Sequence, residues 1–133
     1  MPGRTFPAED KALKEVLAFT EEQLEAAGCP MKKIMPITVA IEEMFVNIAH
    51  YAYPDSTGTV RYSIESGDHC VTFRLADSGV PFDPLARPDP DVTLSSKERK
   101  IGCLGIYMMK QTMDDVSYEY SNGENVLTMK KII

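Results

Sequence analysis

The sequence has little of the material from which metal centres and disulfide frameworks are built. Its 133 residues include two histidines, three cysteines and no tryptophan. Cys29, Cys70 and Cys103 form no CxxC pair, and together with His50 and His69 they show no spacing typical of a zinc site. We therefore expect no zinc and three free thiols, as in a reducing cytosol.

Positive charge is also scarce. The chain has 14 Lys and Arg against 20 Asp and Glu, a formal net charge of -6 and a pI near 4.9. Because binding to nucleic acid or anionic lipid requires clustered cations, this balance argues against both. The longest apolar-looking stretch, residues 34–41, is too short to span a bilayer, and the N-terminus lacks the apolar segment of a secretion signal. We expect a cytoplasmic protein without a membrane or a direct nucleic-acid partner.

The amino-acid composition of the chain is typical of a globular protein, and we expect one domain over residues 1–133. Hydrophobic residues make up 44% of the chain and charged residues 26%, which argues against disorder. A chain of roughly this length buries about two-thirds of its unfolded surface, so a real core is available.

Hydrophobic periodicity predicts three helices. They are expected at residues 8–27, 32–53 and 104–113. Pro36 is placed in the first turn of the second helix, where proline is tolerated, and Pro54 ends that helix.

Alternating patterns predict two β-hairpins. The first joins strands at residues 59–65 and 70–76 through a turn at Ser66-Gly67-Asp68, and the second joins strands at residues 116–120 and 125–132 through Asn122-Gly123. Residues 77–100 contain several prolines and no clear period, which is typical of a functional lid or of disorder. The order of elements predicts an α/β two-layer sandwich, with a mixed, mainly antiparallel sheet and helices on one face.

The second helix carries a narrow polar stripe. Glu43, Asn47 and His50 are spaced by four and three residues, so they are neighbours on a helix that is otherwise apolar nearly all round. The stripe faces either solvent or a cavity that contains a metal ion or a water molecule that must be deprotonated. The pattern alone leaves both readings open.

Two glycine-containing segments are further candidates. Asp77-Ser78-Gly79 follows a predicted strand, where the carboxylate would accept hydrogen bonds from an amine and the glycine permits a positive φ or a close approach. Gly102-Cys103-Leu104-Gly105 opens the third helix, whose free amides favour an anion. Lys100, just before it, would neutralise phosphate charge. Each segment alone also fits an ordinary turn or helix start.

The ordered combination of these features resembles the GHKL superfamily of ATPases and kinases, which has the Bergerat ATP-binding fold. The likeness is strongest to the anti-sigma factor serine/threonine kinases of bacteria. The matching segments are IEEMFVNIAHYAY at residues 41–53, DSGVPFDP at residues 77–84, residues 102–110, and NGENVLTMKK at residues 122–131.

That resemblance implies roles for the polar stripe and for the loop after it. Glu43 would be the general base that deprotonates an attacking hydroxyl, and Asn47 would hold Mg²⁺. Asp77 would accept a hydrogen bond from the adenine amino group, and Gly79 would let the loop pass close to the base. Asn125 would lie near the adenine.

The resemblance also places the phosphates. They would lie against Gly102, Cys103, Leu104 and Gly105, with Lys100 close by, beneath a lid formed by residues 85–100.

Three residues depart from the family pattern. Pro81 stands where relatives often have a second glycine, Cys103 where the phosphate loop often has a glycine, and Asn125 where a threonine is common. Proline supplies no amide donor and a cysteine side chain would crowd a close approach.

Two hypotheses of function follow from the resemblance. In the first, the protein is an ATP- and Mg²⁺-dependent kinase that phosphorylates a serine or threonine of an anti-anti-sigma-type (STAS) protein and so controls a sigma factor. In the second, it is a nucleotide-dependent switch that binds such a partner with little or no chemistry. A homodimer is also compatible with the resemblance.

Overall fold

The structure is a computed structural model that describes residues 3–86 and 103–133. Within those residues the strands are β1 Gly3–Pro7, β2 Thr59–Gly67, β3 Cys70–Asp77, β4 Asp115–Ser121 and β5 Glu124–Ile132. The helices are α1 Leu13–Ala26, α2 Met31–Tyr51 and α3 Cys103–Thr112, with short 3-10 turns at Asp10–Ala12 and Pro84–Ala86.

The described strands form one sheet in the order β1-β2-β3-β5-β4, and each of its four pairings is antiparallel. Along β2, Val60, Tyr62 and Ile64 are buried while the residues between them are more exposed. This period of two gives the sheet one covered face, and the helices supply the cover. The predicted two-layer α/β fold, with a mainly antiparallel sheet and helices on one face, is confirmed.

The first hairpin turns one residue later than its sequence pattern indicates. Gly67 pairs with Cys70, so the turn consists of Asp68 and His69, which have φ values of 44° and 64°. Two consecutive positive φ values suit the right-handed twist of a hairpin, and Asp tolerates them better than most residues. The prediction of a turn at Ser66-Gly67-Asp68 is therefore wrong in position. The Asn122-Gly123 turn is confirmed, with φ values of 55° and 77°.

Helix α2 begins at Met31, with Pro30 as its N-cap, one residue earlier than predicted. Pro36 consequently lies in the second turn and not in the first. Its missing N–H removes one intrahelical hydrogen bond there. The helix ends at Tyr51, so Tyr53 lies in the segment that follows it and not in the helix.

The N-terminal region differs most from expectation. The predicted helix at residues 8–27 begins only at Leu13, and the short strand β1 precedes it. Phe6 of β1 is 1% exposed and packs with Phe19 of α1 and Tyr62 of β2, at ring-centroid distances of 6.3 and 6.4 Å. This cluster joins the sheet edge to the helical layer.

None of the helices within the described residues has the length and apolarity that crossing a bilayer requires.

Candidate functional site

A cavity of about 290 Å³ opens between the C-terminal half of α2, the adjoining ends of β3 and β5, and the loop after β3. It is lined by Met44, Asn47, Ile48, Tyr51, Ala52, Leu75, Asp77, Val80, Phe82, Pro84, Tyr118, Asn125 and Leu127. The lining is mainly apolar, with few polar groups, and its volume is near the lower end of the roughly 300–1,000 Å³ of small-molecule sites. These features suit a flat ring system.

Asp77 is the buried acidic group of this cavity. Its side chain is at the end of β3, where 4% of the residue is exposed. Its Oδ1 accepts hydrogen bonds from the backbone N–H of Gly79 at 2.9 Å and from the Asn125 side chain at 3.0 Å. No described residue donates to Oδ2. Within residues 3–86 and 103–133, this oxygen is therefore an acceptor without a partner.

Burial raises the pKa of Asp77, while the hydrogen bonds from Asn125 and Gly79 act in the opposite direction. The charge of Glu124 adds to the rise. A ligand that donates a hydrogen bond to a buried carboxylate would stabilise its charged form and so oppose the effect of burial on its pKa.

Asn125 is 6% exposed and connects three parts of the site. Its Nδ2 donates to Asp77 Oδ1 and, at 2.9 Å, to the carbonyl oxygen of Val80. Its Oδ1 accepts from the backbone N–H of Phe82 at 3.0 Å and from the hydroxyl of Tyr118. Asn125 therefore lines the cavity, and its described hydrogen-bond partners are protein groups.

Gly79 lies next to the cavity, and its neighbour is the end of α2. A Cβ atom built on it would be 2.4 Å from the carbonyl oxygen of Ala52. That oxygen accepts the N–H of Val80 at 2.9 Å. The close approach is therefore between two backbone segments. Gly79 does not have a positive φ.

The three polar residues of the α2 stripe have different surroundings. Asn47 lines the cavity, is half-buried, and has no hydrogen-bond partner among the described residues. His50 is exposed, and its Nε2 is 2.8 Å from both carboxylate oxygens of Asp10. The stripe is therefore divided, and His50 belongs to a contact outside the cavity.

Glu43 faces α3. A Cβ atom built on Gly105 would be 2.4 Å from Glu43 Oε2 and 3.0 Å from Glu43 Cβ, so the two helices touch at this point. Burial raises the pKa of Glu43, and the neighbouring charge of Glu42 raises it further. Within residues 3–86 and 103–133, Glu43 has no ion pair or hydrogen bond. A carboxylate in this state is suited to accepting a proton.

The remaining predicted phosphate-binding residues are only partly described. Lys100 and Gly102 lie outside the described residues, as do the side chain of Cys103 and most of the predicted lid at 85–100. Leu104 is in the first turn of α3 and is 39% exposed. Gly105 is buried.

Two tyrosines that sequence reasoning missed hold the site together. Tyr118 donates to Asn125 from the neighbouring strand. Tyr53 donates to the carbonyl oxygen of Thr59 and accepts the N–H of Ser78, each at 2.8 Å. Strand alternation places Tyr118 on the same face of the sheet as its cross-strand partner Leu127, so the sequence pattern could have predicted that Tyr118 faces the site. No sequence pattern could have predicted the contacts of Tyr53, because its hydrogen-bond partners are brought to it by the tertiary fold.

Known proteins with similar sequences indicate the family of this chain. Residues 6–131 match the family model of the histidine kinase-like ATPase domain. The serine-protein kinase RsbW of Listeria monocytogenes serovar 1/2a is 29% identical over 113 residues, which cover 80% of this chain and 71% of the relative. The serine/threonine-protein kinase BtrW of Bordetella bronchiseptica is 26% identical over 94 residues, which cover 70% of this chain and 66% of the relative.

A solved structure shows the same fold. The RsbU and RsbW domains of a Mycobacterium tuberculosis protein superpose with a TM-score of 0.65 at 18% identity, over 99% of this chain and 32% of that one. This chain therefore spans about a third of the length of that structure. Since the family match extends over nearly all of the sequence, the chain belongs to the family of histidine kinase-like ATPase domains.

Proposed function

We propose that this chain is a cytoplasmic, ATP-dependent protein serine/threonine kinase, which phosphorylates an anti-anti-sigma-type (STAS) protein and thereby controls a sigma factor. The observation that carries the proposal is Oδ2 of Asp77, which has no donor among the described residues and lies in a base-sized apolar cavity that Asn47 also lines. The kinases among the relatives support the reaction class.

Asp77 would recognise the adenine. Its Oδ2 is an acceptor without a described donor, and the 6-amino group of adenine is a donor on a flat ring. The apolar lining around it would cover the two faces of the base. Burial increases the contribution of this hydrogen bond to the free energy of binding, because an unpaired charged acceptor is less stable in a dry cavity than in water.

Asn47 would hold Mg²⁺ next to the phosphates. Its amide is half-buried at the cavity and has no described partner, which fits one protein ligand to an ion whose other ligands are phosphate oxygens and waters. The described residues contain no cluster of three His, Cys, Asp or Glu side chains, so a metal held by the protein alone is not part of the proposal. When bound, Mg²⁺ neutralises charge that develops on the phosphates.

Glu43 would act as the general base. Its carboxylate would take the proton of the partner's hydroxyl while that oxygen bonds to the γ-phosphorus and the bond to the ADP oxygen breaks. The raised pKa of Glu43 favours this proton transfer because it makes the carboxylate a stronger base.

The test is transfer of the γ-phosphate from labelled ATP, with Mg²⁺, to a purified STAS-domain protein from the same genome. We expect label on a serine or threonine. Glu43→Gln should lower the rate by about 10²–10⁴-fold, the usual contribution of a general base, with ATP affinity almost unchanged. Glu22→Gln, at an exposed position on α1, is the matched control. If the chain binds ATP but transfers no label to any such partner, the proposed kinase activity is refuted.

One observation favours the alternative, a nucleotide-dependent switch that binds its partner with little chemistry. Glu43 packs against Gly105 and is not among the residues that line the cavity. The switch predicts ATP binding, no label on the partner, and release of the partner when ATP is exchanged for ADP. Co-elution of the partner with each nucleotide in turn would distinguish the two.

A further inference from the structure

We propose that Asn125 is a positioning residue, which fixes the Asp77 carboxylate and the loop after β3, and that it does not itself contact the nucleotide base. The inference rests on the proposed function, because it assigns how the adenine-recognising group is held.

The hydrogen-bonding capacity of Asn125 is fully used by the protein. A side-chain amide has two N–H donors and one oxygen with two lone pairs. Both donors have partners, Asp77 Oδ1 at 3.0 Å and the Val80 carbonyl at 2.9 Å. Both lone pairs are also taken, by the Phe82 N–H at 3.0 Å and by the Tyr118 hydroxyl. A base could bind Asn125 only by displacing one of these bonds.

Displacement would be costly at this depth. Asn125 and Asp77 are 6% and 4% exposed, and a buried donor or acceptor that loses its partner keeps the cost of its desolvation with no hydrogen bond to offset it. The same burial makes the network rigid, since each group has one arrangement that satisfies all of them.

The network determines which oxygen of Asp77 is offered to a ligand. Oδ1 accepts from both Asn125 and Gly79, so the carboxylate cannot rotate without breaking two hydrogen bonds. Oδ2 is then held as the acceptor for an amine. Because Asn125 also binds Val80 and Phe82, which line the cavity, it fixes the wall and the acceptor together.

The experiment compares two nucleotides by calorimetry on the full chain. ATP carries the 6-amino group, and purine riboside triphosphate lacks it. Asn125→Ala should weaken ATP binding about tenfold more than it weakens binding of purine riboside triphosphate, because the support of the cavity wall serves both nucleotides and the orientation of Asp77 serves ATP alone; tenfold is within the range of measured couplings between contacting residues. Val126→Ala, the next residue of β5, is partly exposed and on the opposite face of the sheet, and it should change neither affinity.

A double-mutant cycle adds a readout that a merely structural residue would not move. If Asn125 acts on the amine acceptor through Asp77, then in an Asp77→Asn chain Asn125→Ala should weaken ATP binding no more than it weakens binding of purine riboside triphosphate in the wild-type background. Equal losses for both nucleotides, or a full loss in the Asp77→Asn background, would overturn the proposal.

Should Asn125→Ala fail to fold, Tyr118→Phe provides the second variant, since it removes one of the four hydrogen bonds and keeps the ring. Tyr118→Phe should weaken the binding of ATP by about two- to fivefold relative to purine riboside triphosphate, a smaller effect than that of Asn125→Ala. Equal weakening of the binding of both nucleotides would contradict the inference. A wild-type chain that binds neither nucleotide at millimolar concentration refutes the proposed function and this inference together. A chain that binds both but shows unselective losses refutes only the inference.

Discussion

Gly79 and Ala52 approach so closely that a side chain at residue 79 would collide with backbone. A Cβ atom there would be 2.4 Å from the Ala52 carbonyl oxygen and 2.7 Å from its carbonyl carbon. The same oxygen accepts the Val80 N–H, so the end of α2 and the loop after β3 are joined at this point.

Gly79→Ala should therefore destabilise the protein and weaken the nucleotide site together. Overpacking of this kind typically costs about 1–3 kcal/mol, and a displaced loop would move Val80 and disturb the hydrogen bond from the Gly79 N–H to Asp77. Thermal unfolding with and without ATP would measure both effects: a lower Tm, and a smaller rise in Tm on adding ATP.

Gly67→Ala is the matched control. Gly67 is at the end of β2 and does not have a positive φ, and a Cβ atom built on it would have no neighbouring atom within 4 Å. Its substitution should change stability by no more than about 0.5 kcal/mol. Similar losses for the two variants would show that the Gly79–Ala52 contact is not what makes Gly79 necessary.

Local sequence patterns predicted most of the fold because its elements have clear periods. The strands of both hairpins and helix α3 were placed to within one or two residues. Strand β1 was not predicted, since Phe6 is its one buried residue and its pairing with β2 joins segments more than 50 residues apart. A five-residue edge strand leaves no alternation long enough to detect.

The candidate site was predicted as a set of residues but not as a set of contacts. The spacing of Glu43, Asn47 and His50 places them on one side of α2, but what each one faces is decided by distant elements. His50 meets Asp10, which is 40 residues away, and Glu43 meets Gly105. Such contacts depend on tertiary packing, which helical spacing does not contain.

Gly105→Ala should reduce phosphoryl transfer more than ATP binding. The added methyl would be 2.4 Å from Glu43 Oε2 and 3.0 Å from Glu43 Cβ. The Glu43 carboxylate can rotate away from the added methyl, but the Glu43 Cβ cannot. Either the Glu43 side chain or helix α3 must therefore shift. Displacement of a reacting group by about 1 Å can cost on the order of 10²-fold in rate, and we expect a loss of about ten- to a hundredfold.

Transfer kinetics and ATP titration on the same preparation would measure the two effects. Gln111→Ala, at an exposed position of α3, is the control and should behave as wild type. A Gly105→Ala chain that loses ATP affinity and rate in equal proportion would indicate that Gly105 serves the phosphates and not the position of Glu43.

Glu42→Gln should shift the pH dependence of transfer. Burial is the main reason why the pKa of Glu43 is raised, and the charge of Glu42 is the second. Since a general base must be deprotonated, the rate rises with pH through this raised pKa. Removing the Glu42 charge lowers the pKa of Glu43, so the acid limb of the kcat profile should move to lower pH. An unchanged limb, with Glu22→Gln as the control, would show that another group titrates.

Asp77→Asn should stabilise the protein increasingly as the pH rises. The pKa of Asp77 is raised in the folded state, chiefly by burial, so the folded chain retains a proton that the unfolded chain releases. Stability from this group is fully present below the unfolded pKa, at about pH 4, and is lost as the pH rises through the folded pKa. Asparagine avoids that loss, because its Oδ1 can still accept from Gly79 and Asn125.

The measurement is urea unfolding of the wild type and of Asp77→Asn between pH 4 and pH 8. The free-energy difference between them should be smallest at pH 4, should grow through the folded pKa and should then become constant. Asp55→Asn, which alters an exposed carboxylate, is the control. The same variant should bind ATP more weakly, because the amide would place a donor where the adenine amine needs an acceptor. A difference that shrinks as the pH rises would mean that the buried carboxylate of Asp77 is stabilised by the fold in its charged form.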